Sequence, residues 1–157
     1  MYKKILLAVD DSNVSEKAAQ RALEFKQSVD AEVVAFHSME HHMIPKKLPL
    51  TVPLQNAYSF TIPQASYQEI HQAYRDKGEM ILKKTKAMFE EEDLSLETRL
   101  ITEQNPKDYI KEVVKEEDFD LVIMGHRGTH SKIEEILLGS VAQEVLEKAE
   151  CDILVIK

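Results

Sequence analysis

A chain of 157 residues, 43% of them hydrophobic, is long enough to bury a core without staples and fits one domain. Its 28 acidic and 20 basic residues leave a formal net charge of -8, which repels a phosphate backbone and argues against nucleic-acid binding, while leaving room for one nucleotide held by local dipoles. No apolar run approaches the ~18 residues of a membrane span; the lone Cys151 closes no intramolecular disulfide and the N-terminus shows no signal pattern, so a cytoplasmic protein without a membrane partner is expected.

The first apolar run, Lys4 to Val9, is continuous and β-branched or leucine-rich, as in a strand covered on both faces. Behind the capping candidates Ser12 and Asn13, with Glu16 three residues past Asn13, Val14, Ala18, Ala22 and Phe25 recur at helical spacing and predict the first helix. Glu32 to His37 is the second strand. From Met39 to about Ala65 four of the five prolines (Pro45, Pro49, Pro53 and Pro63) interrupt any periodicity, and the expectation is a long loop or lid inserted into a single domain spanning 1–157.

A long helix is predicted from Tyr67 to about Glu91, with Tyr67, Tyr74, Ile81 and Met88 at heptad spacing as its packing stripe. Leu96 to Thr102 is the third strand. Asn105-Pro106, a cap followed by proline at the first helical position, opens a helix carrying Tyr109, Ile110, Val113 and Val114 on one side. Leu121 to Met124 is the fourth strand. A last helix is expected to start with Ser140 as its cap and Gln143 in capping-box spacing, burying Val141, Val145, Leu146 and Ala149, before the fifth strand, Asp152 to Ile156. Strands alternating with helices imply right-handed crossovers and a parallel sheet in a three-layer α/β sandwich.

Three of the four glycines fall in the stretch GHRGTHSKIEEILLGS, residues 125–140, between the fourth strand and the last helix. Ligands of open parallel sheets bind outside the carboxyl ends of the strands. Gly125 at such an end permits close approach to the backbone, Gly128 permits a positive-φ turn, and Gly139 before Ser140 leaves helix amides open to an anion. One helix end contributes only ~0.3–1 kcal/mol to a nearby charge, so several amides and the Ser140 hydroxyl must converge to hold a triphosphate. His126, Arg127, Thr129, His130, Ser131 and Lys132 add donors. Asp10 ends the first strand, where a carboxylate can accept both hydroxyls of a ribose; Asp11 is read as capping the following helix.

The segments KKILLAVDDS, EVVAFHS, DLVIMGHRG and EEILLGSVAQEVLEKAECDILVIK, in that order, resemble the universal stress protein family over roughly residues 1–38 and 95–157. ATP-binding members carry G-x2-G-x9-G-[ST]; here the pattern is Gly125-x2-Gly128-x10-Gly139-Ser140, one residue longer in its second interval. The resemblance implies a Rossmann-like, adenine nucleotide alpha hydrolase-like sandwich with five parallel strands in the order 3-2-1-4-5. It further implies ATP, accompanied by Mg²⁺, as the ligand. Asp10 would meet the ribose, Ala8 and Val9 would line the adenine slot, Ser38 would meet the adenine edge, and Met124 with Gly125 would lie against the nucleoside. Arg127, Gly128, Gly139, Ser140 and Val141 would surround the phosphates. A homodimer through the C-terminal strand is implied as well, in keeping with the continuous apolar run Ile153 to Ile156.

Other chemistries lack their residues. A response-regulator receiver domain requires a carboxylate where Gly125 stands, and a dinucleotide-binding turn requires glycines that VDDSNVS does not contain. His37, His41 and His42 match no recurrent zinc spacing, and Cys151 has no evident activating base. No Walker lysine, nucleophile–base pair or carboxylate dyad is visible, so the expectation is a regulatory nucleotide-binding module, a slow ATPase at most. The competing expectation is a nucleotide-independent interaction protein whose longer glycine loop has closed the site.

Overall fold

The computed structural model describes residues 1–39, 64–127 and 138–157. Expectations that concern residues 40–63 of the insert, including His41 and His42, or Gly128 and the donors Thr129, His130, Ser131 and Lys132, lie outside the described residues, as does the side chain of Tyr67. In chain order the elements are β1 (Lys4–Ala8), α1 (Asn13–Val29), β2 (Glu32–Ser38), α2 (Gln64–Glu90), β3 (Glu97–Ile101), α3 (Pro106–Glu116), β4 (Leu121–Gly125), α4 (Ser140–Lys148) and β5 (Asp152–Ile156).

The five strands form one all-parallel sheet in the order β3-β2-β1-β4-β5, as the resemblance implied. β1 is central: Leu7 stands beside Ala35 of β2 on one side and Ile123 of β4 on the other. Alternation along each strand divides the core into two layers. Ile5, Leu7 and Val9 face α1 and α2 together with Ala18, Ala22, Leu82 and Phe89, whereas Leu6, Val34, Phe36 and Val122 face α3 and α4 with Ile110, Val113 and Val145. The strands read as continuous apolar runs because both of these faces are covered.

Where the helices meet the sheet, two expectations are corrected. The buried face of α2 is centred on Gly78, Leu82, Thr85 and Phe89; of the expected stripe, Ile81 is buried while Tyr74 and Met88 are only partly so. Gly78 accounts for the rotation, since a Cβ built there would stand 2.6 Å from Leu100 Cδ1 and 2.9 Å from His37 Cδ2. The helix therefore lies closer to β2 and β3 at this turn than any side chain would allow. In α4, Ala142 and Val145 are the buried residues and Leu146 is 47% exposed rather than buried, because the helix is short and touches the sheet along a single stripe.

Candidate functional site at the β1/β4 switch

In this strand order the chain leaves the central pair in opposite directions after β1 and after β4, which opens a crevice beyond their carboxyl ends. Asp10 stands on one side of that crevice and Gly125 on the other. Val14, in the first turn of α1, closes the gap between them; a Cβ at Gly125 would lie 3.0 Å from Val14 Cγ1 and 3.3 Å from the carbonyl of Arg127. Glycine is favoured here by close packing, and among the described residues no glycine has a positive φ.

The Asp10 carboxylate is oriented by a small closed network. Its Oδ1 accepts from the Ser12 amide at 2.9 Å and from the Ser12 hydroxyl at 2.5 Å, Ser12 Oγ accepts from the Ser15 amide at 3.1 Å, and Ser15 Oγ accepts from the Asp10 amide at 2.8 Å. Ser12 is thus the N-cap of α1 and Asp10 holds that cap in place. Asp11, read from sequence as a cap, instead forms an ion pair with Lys77 of α2 at 2.5 Å. The explanation is local: Ser12 already caps the helix through the Ser15 amide, and Asp11 points towards the neighbouring helix.

The residues assigned to the base lie at the ends of β1 and β2. Ala8 is partly buried, and Val9 is buried with its amide donating to Phe36 O at 3.0 Å. His37, 5% exposed, lies 2.8 Å through Nδ1 from the Val9 carbonyl. Ser38 donates its hydroxyl proton to the carbonyl of Gln104 at 2.7 Å, tying β2 to the turn before α3. Met124 packs its side chain into the layer under α3 and α4.

The opposite wall is built around His126. Its amide donates to Ile156 O at 2.8 Å and its carbonyl accepts from the Gly139 amide at 2.7 Å. Gly139, extended at φ -72 and ψ 158, is the N-cap of α4, and a Cβ on it would stand 3.2 Å from His126 O. The cap is therefore one residue earlier than expected: Ser140 is the first helical residue and is exposed, and the Gln143 side chain bonds Glu147 instead of closing a capping box. With glycine as cap, α4 begins without a side-chain acceptor among the described residues for its first amides, those of Ser140 and Val141 included. Arg127 donates through Nε to His126 Nε2 at 2.8 Å.

A second concavity, about 260 Å³, lies between α1 and α2, with Ala19, Ile81, Met80 and Met88 on its apolar side and the ion pairs Lys77–Asp11 and Lys84–Glu16 across it. It abuts Asp10 and Ser12 on the α2 side of the first turn of α1. Far from the crevice, burial pushes the Cys151 thiol up to about 11, so at neutral pH it carries its proton and is no nucleophile. Sequence reasoning placed Asp10, Gly125 and Gly139 at the ends of the elements that form the crevice. It missed the structural parts played by His37 and His126, because both depend on contacts far apart in the chain; the only local hint was a histidine beside a strand end in each case.

The family model for the universal stress protein family matches residues 1–157. A universal stress protein of Methanocaldococcus jannaschii is 32% identical over 157 residues, covering 100% of this chain and 83% of the relative. Among solved structures, the universal stress protein UspA of Lactobacillus plantarum superposes with a TM-score of 0.77 at 22% identity, covering 99% of this chain and 98% of that one. A universal stress protein of Archaeoglobus fulgidus in complex with dAMP gives 0.66 at 22% identity, with 99% and 98% covered. None of the described helices is long and apolar enough to cross a membrane.

Proposed function

This chain belongs to the universal stress protein family, and on that premise we propose that it is a regulatory module of the stress response that binds an adenine nucleotide, ATP in our reading, in the crevice between β1 and β4. The observation that carries the proposal is the mouth of α4: a helix whose cap is glycine, with no side-chain acceptor for its first amides among the described residues, at the carboxyl end of β4 beside the β1 end that bears Asp10. Amide hydrogens in that arrangement suit an anion and the oriented carboxylate suits a diol. A structural neighbour in complex with dAMP supports the same ligand class.

In this reading Asp10 receives the ribose, and Ala8 and Val9 form the wall of the base slot. Ser38 faces the adenine edge; its hydroxyl proton is already given to Gln104, so the oxygen acts as an acceptor, which fits the exocyclic amine of adenine. Met124 and Gly125 support the nucleoside, while Arg127, Gly128, Gly139, Ser140 and Val141 enclose the phosphates. Among the described residues no three His, Cys, Asp or Glu side chains converge on a metal site, so Mg²⁺ would arrive coordinated by the phosphates. With no general base assigned, occupancy rather than turnover would be the output. A second copy pairing along β5, whose apolar residues are partly exposed, belongs to the same proposal, and sedimentation at twice 18.0 kDa is its test.

ATP at a hundredfold excess over Kd should stabilise the folded state by about 2.7 kcal/mol, a rise in melting temperature on the order of 5–10 °C for a chain of this size. Gly139→Asp places a carboxylate at the anion site and should abolish that rise without unfolding the protein. Loss of the shift in the unmodified protein would instead favour the nucleotide-independent interaction protein.

A further inference from the structure

His126 is 9% exposed, and it joins three consecutive elements, β4, α4 and β5. Through its main-chain amide and through Nδ1 it meets one acceptor, the carbonyl of Ile156 at the end of β5, at 2.8 and 3.1 Å. Through its own carbonyl it receives the Gly139 amide at the start of α4. Its Nε2 faces Arg127 Nε at 2.8 Å. A guanidinium has no acceptor, so Nε2 must contribute its lone pair. Nδ1 then donates to Ile156, which fixes the tautomer.

We propose that His126 is a positioning residue, a clamp that holds Gly139 at the mouth of α4 against the end of β5 and so couples the anion site to the edge strand of the sheet. The peptide that accepts from Gly139 and the amide that donates to Ile156 belong to the same residue. A displacement of Gly139 towards a bound phosphate is therefore passed to the end of β5, and by reciprocity a constraint on β5 alters the affinity of the mouth. The clamp itself follows from the contacts above; its coupling to nucleotide rests on the proposed function.

The test uses the full chain, with AMP and ATP as probes. Imidazole nitrogen shifts of the unliganded protein should show the Nδ1-protonated tautomer, and the Gly139 and His126 amides should exchange slowly. His126→Phe removes both ring hydrogen bonds and should quicken exchange at Gly139 while weakening nucleotide binding by about tenfold, within the usual range of coupling between sites. His126→Asn restores a donor near the Nδ1 position and should recover most of both losses; it also serves should the phenylalanine variant not fold. An Nε2-protonated ring, fast exchange at Gly139 in the unmodified protein, or unchanged Gly139 exchange and nucleotide affinity in the variants would each overturn the clamp. Absence of any nucleotide response, with the tautomer and the slow exchange as expected, counts against nucleotide binding and supports the clamp alone.

Discussion

Three aspartates, Asp30, Asp93 and Asp118, hold the left-handed backbone positions of the described residues at φ 51, 56 and 56, a task usually given to glycine. The glycines among the described residues stand elsewhere, where a Cβ would be crowded. At Gly125 the neighbour is Val14, and at Gly139 it is the His126 carbonyl. The sequence showed that glycines cluster at one junction, but only the fold shows that close packing, and not positive φ, favours them at 125 and 139. Left-handed aspartate costs roughly 1 kcal/mol relative to glycine, so Asp30→Gly, at the C-cap of α1, should raise unfolding free energy by about 0.5–1 kcal/mol in urea titration. A decrease would mean that the Asp30 side chain contributes more than its backbone costs. The same locality explains the misplaced cap of α4: Ser140 satisfies every short-range rule for a cap, yet the long-range bond from the Gly139 amide to His126 O fixes the preceding residue in that role.

At the scale of elements, periodicity located the four described helices but left the rotation of the longest one unresolved. The heptad stripe through Tyr74, Ile81 and Met88 is genuine in the sequence; the turn that touches the sheet is selected by Gly78 lying over His37 and Leu100. Gly78→Ala should therefore destabilise the protein by about 1–3 kcal/mol through overpacking, despite alanine's better helix propensity, and a gain in stability would show that α2 shifts freely. On the other face of the sheet, Arg99 of β3 grips Glu117, just past α3, with two hydrogen bonds of 2.5 and 2.9 Å, and Lys4 adds a third at 3.2 Å. Hydrogen bonding to Arg99 holds the Glu117 carboxyl well below its usual range, at about 2. A depressed folded-state value means that this contribution to stability is complete above the unfolded value of ~4.3 and is lost as pH falls towards 2. Glu117→Gln should cost about 1–2 kcal/mol at neutral pH, since the pair is partly exposed, and should flatten the acid limb of the stability curve between pH 4.5 and 2. An unchanged acid limb would show that other carboxylates govern it.

For the whole molecule, the central strand, the two-layer core and the parallel pairing were all legible, because strands buried on both faces leave continuous apolar runs that helical patterns separate. The order of strands came from likeness to a family and agrees with the sheet observed. What that order creates is the crevice, and its chemistry follows from parts brought together across the chain: Asp10 set by Ser12 and Ser15, Gly125 against Val14, and α4 opened by Gly139. The net charge of -8 makes these local dipoles necessary, since the molecule as a whole repels an anion. The most direct measurement is a backbone-amide titration with ATP followed by NMR. Nucleotide binding at the switch point predicts saturable shifts concentrated at Asp10, Gly125 and the amides of Gly139, Ser140 and Val141. Shifts confined to the groove of Lys77, Met80 and Met88, or no saturable shift at all, would contradict it.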